Sequence, residues 1–383
     1  MITLSNLTKI YYTQSCPSTV VDNVTIEVPK GEICILLGPS GCGKTTTLKM
    51  INRLIPKTSG KIIVGGEDTD KLDSVTLRRM MGYVIQQIGL FPNMTVEENI
   101  CVVPKLLKWD MTMARKRAAD LLHMMALDPS IFLKRYPKQL SGGQQQRVGV
   151  ARALASDPPV MIMDEPFGAI DPINREAIQD QFLRLQKELR KTIMFVSHDI
   201  DEAVKMGDKI ALFRSGKLEQ YDTPDNVLAH PVNSFVSDFV GADRTLKRLR
   251  LLHAHDVIQT NTPIVNVDDP VDIAVRLMRD CGLEDIPVLD KMRRPIKSLN
   301  LRKVAGHTGS CGELSQPIEA MVTLGDDLRV VVSQMFRHDV TSLICTDESG
   351  RFAGLVTQAN ITQVLGHTHR TTNKGAGLPA LNE

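Results

Sequence analysis

The 383-residue sequence predicts an α/β domain over residues 1–240, with a mixed sheet core and a helical subdomain, followed by a smaller α+β region made of two repeats. Three observations carry that prediction. Short apolar runs alternate with helically spaced segments through the first 240 residues. A glycine-rich loop joins one of those runs to a helix. Beyond residue 256 the chain repeats itself at an offset of 57 residues.

The elements follow in order. EICILLG (32–38) is a short buried-strand run, and KTTTLKMINRL (44–54) continues it with helical spacing. PVMIMDE (159–165) and TIMFVSH (192–198) are two more such runs. Strand runs separated by helices predict a mostly parallel sheet with crossover helices. Residues 93–150 carry no strand run. They are mostly helical, with Met124, Met125 and Leu127 in one apolar cluster, and predict a helical insertion. ALFRSGKLEQYDTP (211–224) predicts a hairpin around Ser215 and Gly216. A basic stretch with Arg244, Lys247, Arg248 and Arg250 then predicts a linker over 241–256. VNVDDPVDIAVRLMRDCGLEDIPVLD (265–290) overlays VTLGDDLRVVVSQMFRHDVTSLICTD (322–347), placing Met278 on Met335, Asp290 on Asp347 and Arg294 on Arg351. The repeats span 257–304 and 317–365. Each reads strand, helix, apolar strand, turn, strand, helix, and two such half-sized units bury their faces only against each other. The polar, glycine-bearing residues 366–383 predict a disordered tail.

Composition narrows the function. Hydrophobic residues make up 42% and charged residues 23%, which is ordinary for a globular protein. A net charge of +2 gives no electrostatic case for nucleic acid as a partner. No apolar run reaches the ~18 residues of a membrane span, and MITLSNLTKIYY lacks the basic start and apolar core of a signal peptide. Seven scattered cysteines without a CxxC pair predict thiols in a reducing cytoplasm, used as small apolar filler.

Chemistry concentrates in the first domain. GPSGCGKTT (38–46) matches a phosphate-binding loop between a predicted strand and a helix. Gly38, Pro39, Ser40, Gly41, Cys42, Gly43, Lys44, Thr45 and Thr46 are therefore the predicted nucleotide-binding residues. The glycines allow close backbone approach, and the loop N–H groups and helix N-terminus face an anion. Lys44 is expected to reach the β- and γ-phosphates, and Thr45 to hold Mg2+. VMIMDE delivers Asp164 and Glu165 to a strand end, where ligands bind in open α/β sheets. Asp164 suits Mg2+, and Glu165 suits polarising a water. FVSHD (195–199) places His198 at the end of a neighbouring strand, with Asp199 as a helix N-cap. Gln86 and Gln87 follow a further strand run, where a glutamine can ligate Mg2+ or water.

Taken together, GPSGCGKTT, QQIGLFP, LSGGQQQR, MDEPFGAID and VSHD, in that order and spacing, resemble the ATP-binding subunits of ABC transporters over residues 1–240. The resemblance implies an ATPase using ATP and Mg2+. It implies a homodimer in which the signature residues Ser141, Gly142, Gly143 and Gln144 of one chain close the ATP site of the other. Ser141 suits a cap for a helix starting at Gly142, whose positive end then faces the partner's γ-phosphate. The resemblance implies adenine stacking on Tyr11, with Tyr12 adjacent and left open. It implies Gln86 as the Q-loop glutamine and Mg2+ ligand, Glu165 as general base, Asp171 as the D-loop aspartate and His198 as the switch histidine. Residues 86–110 are implied to dock on integral membrane permease subunits, on the cytoplasmic side of the inner membrane. ABC ATPases of DNA repair or translation carry long coiled-coil insertions or two ATPase units per chain, and this sequence has neither.

The repeats resemble a tandem pair of CBS domains. An ABC ATPase followed by such a pair resembles the importers of osmoprotectants such as glycine betaine, carnitine and choline, which implies an extracytoplasmic substrate-binding protein as a further partner. The pair implies a regulatory ligand, an ionic-strength sensor or a dimerisation module. One departure weighs against a nucleotide there. Gly354 and Thr357 of GLVTQAN fit the nucleotide-binding pattern, but Asn360 replaces the ribose-binding aspartate, and Lys297, Asn300 and Lys303 stand at the same places in the first repeat.

Overall fold

The computed structural model describes residues 1–12, 16–85, 89–168 and 170–372. The chain divides into two units, Met1–Ala242 and Asp243–Glu383.

Runs of wholly buried side chains form the centre of the first unit. Strands Ile33–Leu37, Val160–Asp164 and Thr192–Val196 are buried at every residue, as parallel strands covered on both faces must be. They lie in a six-stranded sheet with Met81–Val84 at one edge and Lys209–Arg214 and Lys217–Asp222 at the other. Every pairing is parallel except that of the last two strands. Those two are joined by Ser215 and Gly216, both at positive φ (48° and 83°), the requirement of a tight hairpin turn.

A second sheet of four strands is antiparallel, in the order Pro17–Val28, Ile2–Tyr12, Ser59–Val64 and Glu67–Asp68. Burial alternates along Ile2–Tyr12, so one face packs inward. Ile2, Leu4, Val21 and Ile26 of this sheet share a core with Leu36, Ile162 and Phe213 of the other.

Helices Val96–Leu106, Met111–Met124, Pro129–Phe132 and Gly142–Leu154 form the expected helical region, which runs four residues past the predicted limit. Met125 and Leu127 are buried there. Thr95 opens the first helix with a reciprocal cap to Glu98.

The second unit follows the repeat closely. Helix Val271–Cys281 corresponds to Leu328–His338, strand Asp285–Leu289 to Ser342–Thr346, and strand Pro295–Asn300 to Phe352–Thr357, each 57 residues on. Turn chemistry repeats too. Asp290 accepts from the N–H groups of Met292 and Arg294, and Asp347 from those of Ser349 and Arg351. Each repeat has its own core. Leu289, Ile344, Phe352 and Leu355, with Ile264 and Leu283, form a third cluster shared between repeats.

Two boundaries differ from expectation. The basic stretch expected as a linker over 241–256 is partly buried, at Arg248 and Leu249. It forms helix Arg244–Arg248, and Leu249, Ala254 and Val257 are buried in the core of the second repeat. Its apolar residues, hidden among arginines, decide the packing. The final helix, Gln358–Thr372, passes the point at 366 where a disordered tail was expected. Residues 373–383 lie outside the described residues.

Candidate functional site

Close backbone approach explains two loop glycines. At Gly38 (φ 142°) a Cβ would lie 2.3 Å from the Phe213 carbonyl oxygen, and at Gly43 (φ 103°) 2.5 Å from that of Val20. No L side chain fits either place. Helix Lys44–Ile51 starts immediately afterwards. The Lys44 ammonium is buried and donates to the carbonyls of Gly38 at 2.6 Å and Pro39 at 2.8 Å. The loop thus folds around its own cation.

The two predicted Mg2+ ligands meet. The Thr45 hydroxyl donates to Asp164 Oδ1 at 3.0 Å. Burial lifts the Asp164 carboxyl above its ordinary range, partly offset by the Thr45 hydrogen bond. A hydroxyl beside a carboxylate is an all-oxygen donor pair, which fits Mg2+. Gln86, the third predicted ligand, lies outside the described residues.

A cavity of about 610 Å³ opens over the loop, lined by Tyr11, Ser40, Lys44, Thr45, Glu165 and His198 among others. Gly41, Cys42, Gly43 and Thr46 also face it. Tyr12 does not line it and is 76% exposed, so Tyr11 is the tyrosine at the cavity. Glu165 occupies a left-handed conformation (φ 50°), rare for a residue with a side chain. Its N–H donates to the Val196 carbonyl at 3.1 Å, and its carbonyl accepts from the Gly168 N–H at 3.2 Å. His198 Nδ1 lies 3.5 Å from Glu165 Oε1.

Behind His198 the expected Asp199 cap adjoins a network around Glu202 that the sequence did not suggest. Asp199 caps helix Ile200–Met206, accepting from Asp201 and Glu202 N–H groups. Buried Glu202 accepts from the Ser197 hydroxyl and from the Gln179 amide at 3.0 Å. Burial raises the Glu202 carboxyl above its ordinary value. As a glutamate in a first helical turn, it reads in sequence as a dipole-facing surface residue, which conceals this role.

The signature residues stand apart. Ser141 caps helix Gly142–Leu154 reciprocally with Gln144, as expected. Ser141 and Gly142 are exposed, and none of Ser141 to Gln144 lines the cavity. Asp171 is exposed nearby in sequence, at the start of helix Pro172–Leu189, where its carbonyl accepts from the Arg175 N–H at 2.9 Å.

In the second unit a cavity of about 210 Å³ is lined by residues of both repeats, including Asp285, Asn300, Lys303, Glu319 and His338. The side chains at the nucleotide-pattern positions are engaged internally. Lys297 donates to the Gly312 carbonyl, Asn300 to Asp285, Lys303 to Gln316, and Asn360 to the Val257 carbonyl.

Residues 21–168 match the ABC transporter family and residues 312–367 the CBS domain. The osmoprotectant import ATP-binding protein OsmV of Salmonella typhimurium is 52% identical over 97% of this chain and 99% of its own length. The glycine betaine/carnitine/choline transport ATP-binding protein OpuCA of Bacillus subtilis is 40% identical over 95% of this chain and 96% of its own. A dimeric post-hydrolysis structure of the ATP-binding cassette MJ0796 bound to ADP and Pi is 36% identical, with a TM-score of 0.54, covering 58% of this chain and 99% of that one. With the phosphate loop, the Asp164–Glu165 strand end and the repeated domains in place, the chain belongs to the ABC-transporter ATP-binding proteins that carry CBS domains.

Proposed function

We propose that this chain is the ATP-hydrolysing subunit of an importer of osmoprotectants, quaternary amines such as glycine betaine. The observation that carries the reading is the convergence of Lys44, Thr45, Glu165 and His198 on one cavity, with Asp164 accepting from the Thr45 hydroxyl, while none of the residues at the capped, exposed helix start at Ser141 lines it.

The residues divide the work by chemistry. Loop N–H groups from Gly41 to Thr46 and the N-terminus of helix Lys44–Ile51 bind the β- and γ-phosphates. Lys44 exchanges the Gly38 and Pro39 carbonyls for phosphate oxygens. Tyr11 stacks on adenine, and Pro39 and Ser40 complete the loop wall. Thr45, Asp164 and Gln86 hold Mg2+, which when bound offsets phosphate charge. Glu165 accepts a proton from the attacking water, and His198, within reach of that carboxylate, contacts the γ-phosphate. Asp171 belongs to the loop between the two chains. The second chain supplies Ser141, Gly142, Gly143 and Gln144, whose helix dipole and glycine backbone close over the phosphates. Two ATP sites per dimer follow.

Permease subunits and an extracytoplasmic binding protein are the further partners in this reading. The chain sits on the cytoplasmic face of the inner membrane, and no described helix is long and apolar enough to cross it. The CBS pair regulates. The internal hydrogen bonds of Lys297, Asn300, Lys303 and Asn360 favour a role without a bound nucleotide.

The test is uptake of labelled glycine betaine after a rise in external salt, in cells lacking the chain and then given wild type or Lys44→Ala. Restoration by wild type alone is expected. Failure of wild type to restore uptake contradicts the osmoprotectant reading.

A further inference from the structure

The three consecutive glutamines of LSGGQQQR have three different partners. Gln144 Oε1 accepts from the Ser141 N–H, as part of the cap. Gln145 donates to the Leu140 carbonyl at 3.1 Å. Gln146 donates from Nε2 to the main-chain carbonyl of Glu165 at 3.0 Å. The third bond crosses from the signature helix to the residue proposed as general base.

Gln146 is a buried polar residue, 4% exposed, on the same helix face as Val150 and Ala153. Its Oε1 is buried and has no partner among the described residues. The amide is therefore kept for its donor alone. The acceptor is itself unusual, since Glu165 is held in a left-handed conformation. Three main-chain bonds pin it there: one from its N–H to Val196, one from the Gly168 N–H, and one from the Gln146 amide. Gln146 is the side-chain member of that set. Its helix begins four residues earlier at the exposed, capped N-terminus that this account assigns to the second chain's ATP.

We infer that Gln146 is a positioning residue. It holds the Glu165 backbone so that the carboxylate faces the cavity, and it ties the signature helix, which closes one ATP site, to the base of the other. Engagement of the helix by a partner's phosphate then shifts Gln146 and with it Glu165, linking the two sites through one hydrogen bond. The inference rests on the ATPase reading and not on the identity of the solute.

The test is steady-state ATP hydrolysis by the full chain carrying Gln146→Met, which keeps the volume and deletes the donor. The expected result is a kcat at least ten-fold below wild type, a KM for ATP within two-fold, and a melting temperature unchanged or higher, because an unpartnered buried oxygen is removed. A kcat within two-fold of wild type overturns the inference. So does a joint loss of kcat, ATP affinity and melting temperature, the signature of packing alone. Should the methionine variant fail to fold, Gln146→Ala deletes the donor without overfilling the site. Wild-type kcat in that variant overturns the inference equally. Hydrolysis behaving as expected in a chain that fails to restore glycine betaine uptake counts against the solute and not against Gln146.

Discussion

At Gly43 a single methyl group would meet the Val20 carbonyl oxygen at 2.5 Å, with the backbone already at a φ that L residues avoid. Gly43→Ala is expected to cost about 2–4 kcal/mol. That lowers the melting temperature by roughly 4–16 °C and removes the further thermal shift that ATP gives wild type. A melting curve unchanged by the substitution would refute the close approach. Glu202 supports a pH prediction. Burial raises its carboxyl, against the Ser197 and Gln179 hydrogen bonds and the Arg175 charge, while Asp199 adds to the rise. The folded chain keeps a proton that the unfolded chain releases. Stability contributed by this group is therefore present below the ordinary glutamate value of 4.5 and lost as pH rises toward the raised value. Glu202→Gln is expected to flatten that limb of the melting-temperature profile, and an unaltered slope would assign it to other groups. Residues with a motif were legible in the sequence: Lys44, Thr45, Glu165 and His198 meet at one cavity, and Asp164 is bonded to Thr45. Gln146 and Glu202 were not. A polar residue on a helix face reads as solvated until its partner is known, although Gln146 does fall on the apolar stripe with Val150 and Ala153.

Among elements, periodicity decided what could be read. Runs that are apolar but for one end residue, such as Val160–Asp164 and Thr192–Val196, announce themselves as buried strands. The antiparallel sheet is quieter, because half of each strand faces out and Ile2–Tyr12 carries threonine, serine and asparagine between its buried positions. The linker misled for a related reason. Its arginines and lysine set its apparent character, but Leu249, Ala254 and Val257 set its packing. Caps were legible by spacing alone, at Ser141 and at Asp199. Ser141→Ala is expected to cost about 1 kcal/mol of helix stability. If this helix end closes a second chain's site, as proposed, ATP-driven association should weaken more than the melting temperature falls. Equal association of Ser141→Ala and wild type, measured by sedimentation with ATP, would show that the cap serves folding only.

Across the whole molecule, internal repetition was the most legible feature. A 57-residue offset read from the sequence reappears in helices, strands and turn aspartates of the second unit. Repetition of fold did not extend to repetition of chemistry, because Lys297, Asn300, Lys303 and Asn360 are spent on internal hydrogen bonds. The first unit poses the larger question of completeness. Its cavity gathers the loop, Glu165 and His198 on one chain, yet Ser141 to Gln144 are absent from the lining. On the proposed reading a second copy finishes the site. The most direct test is sedimentation of Glu165→Gln with ATP and Mg2+, since removing the proposed general base should stop hydrolysis and leave the closed state to accumulate. The account expects a dimer that forms with ATP, is absent with ADP, and is lost when Lys44→Ala is added. A Glu165→Gln chain that binds ATP and sediments only as monomer would contradict the composite site.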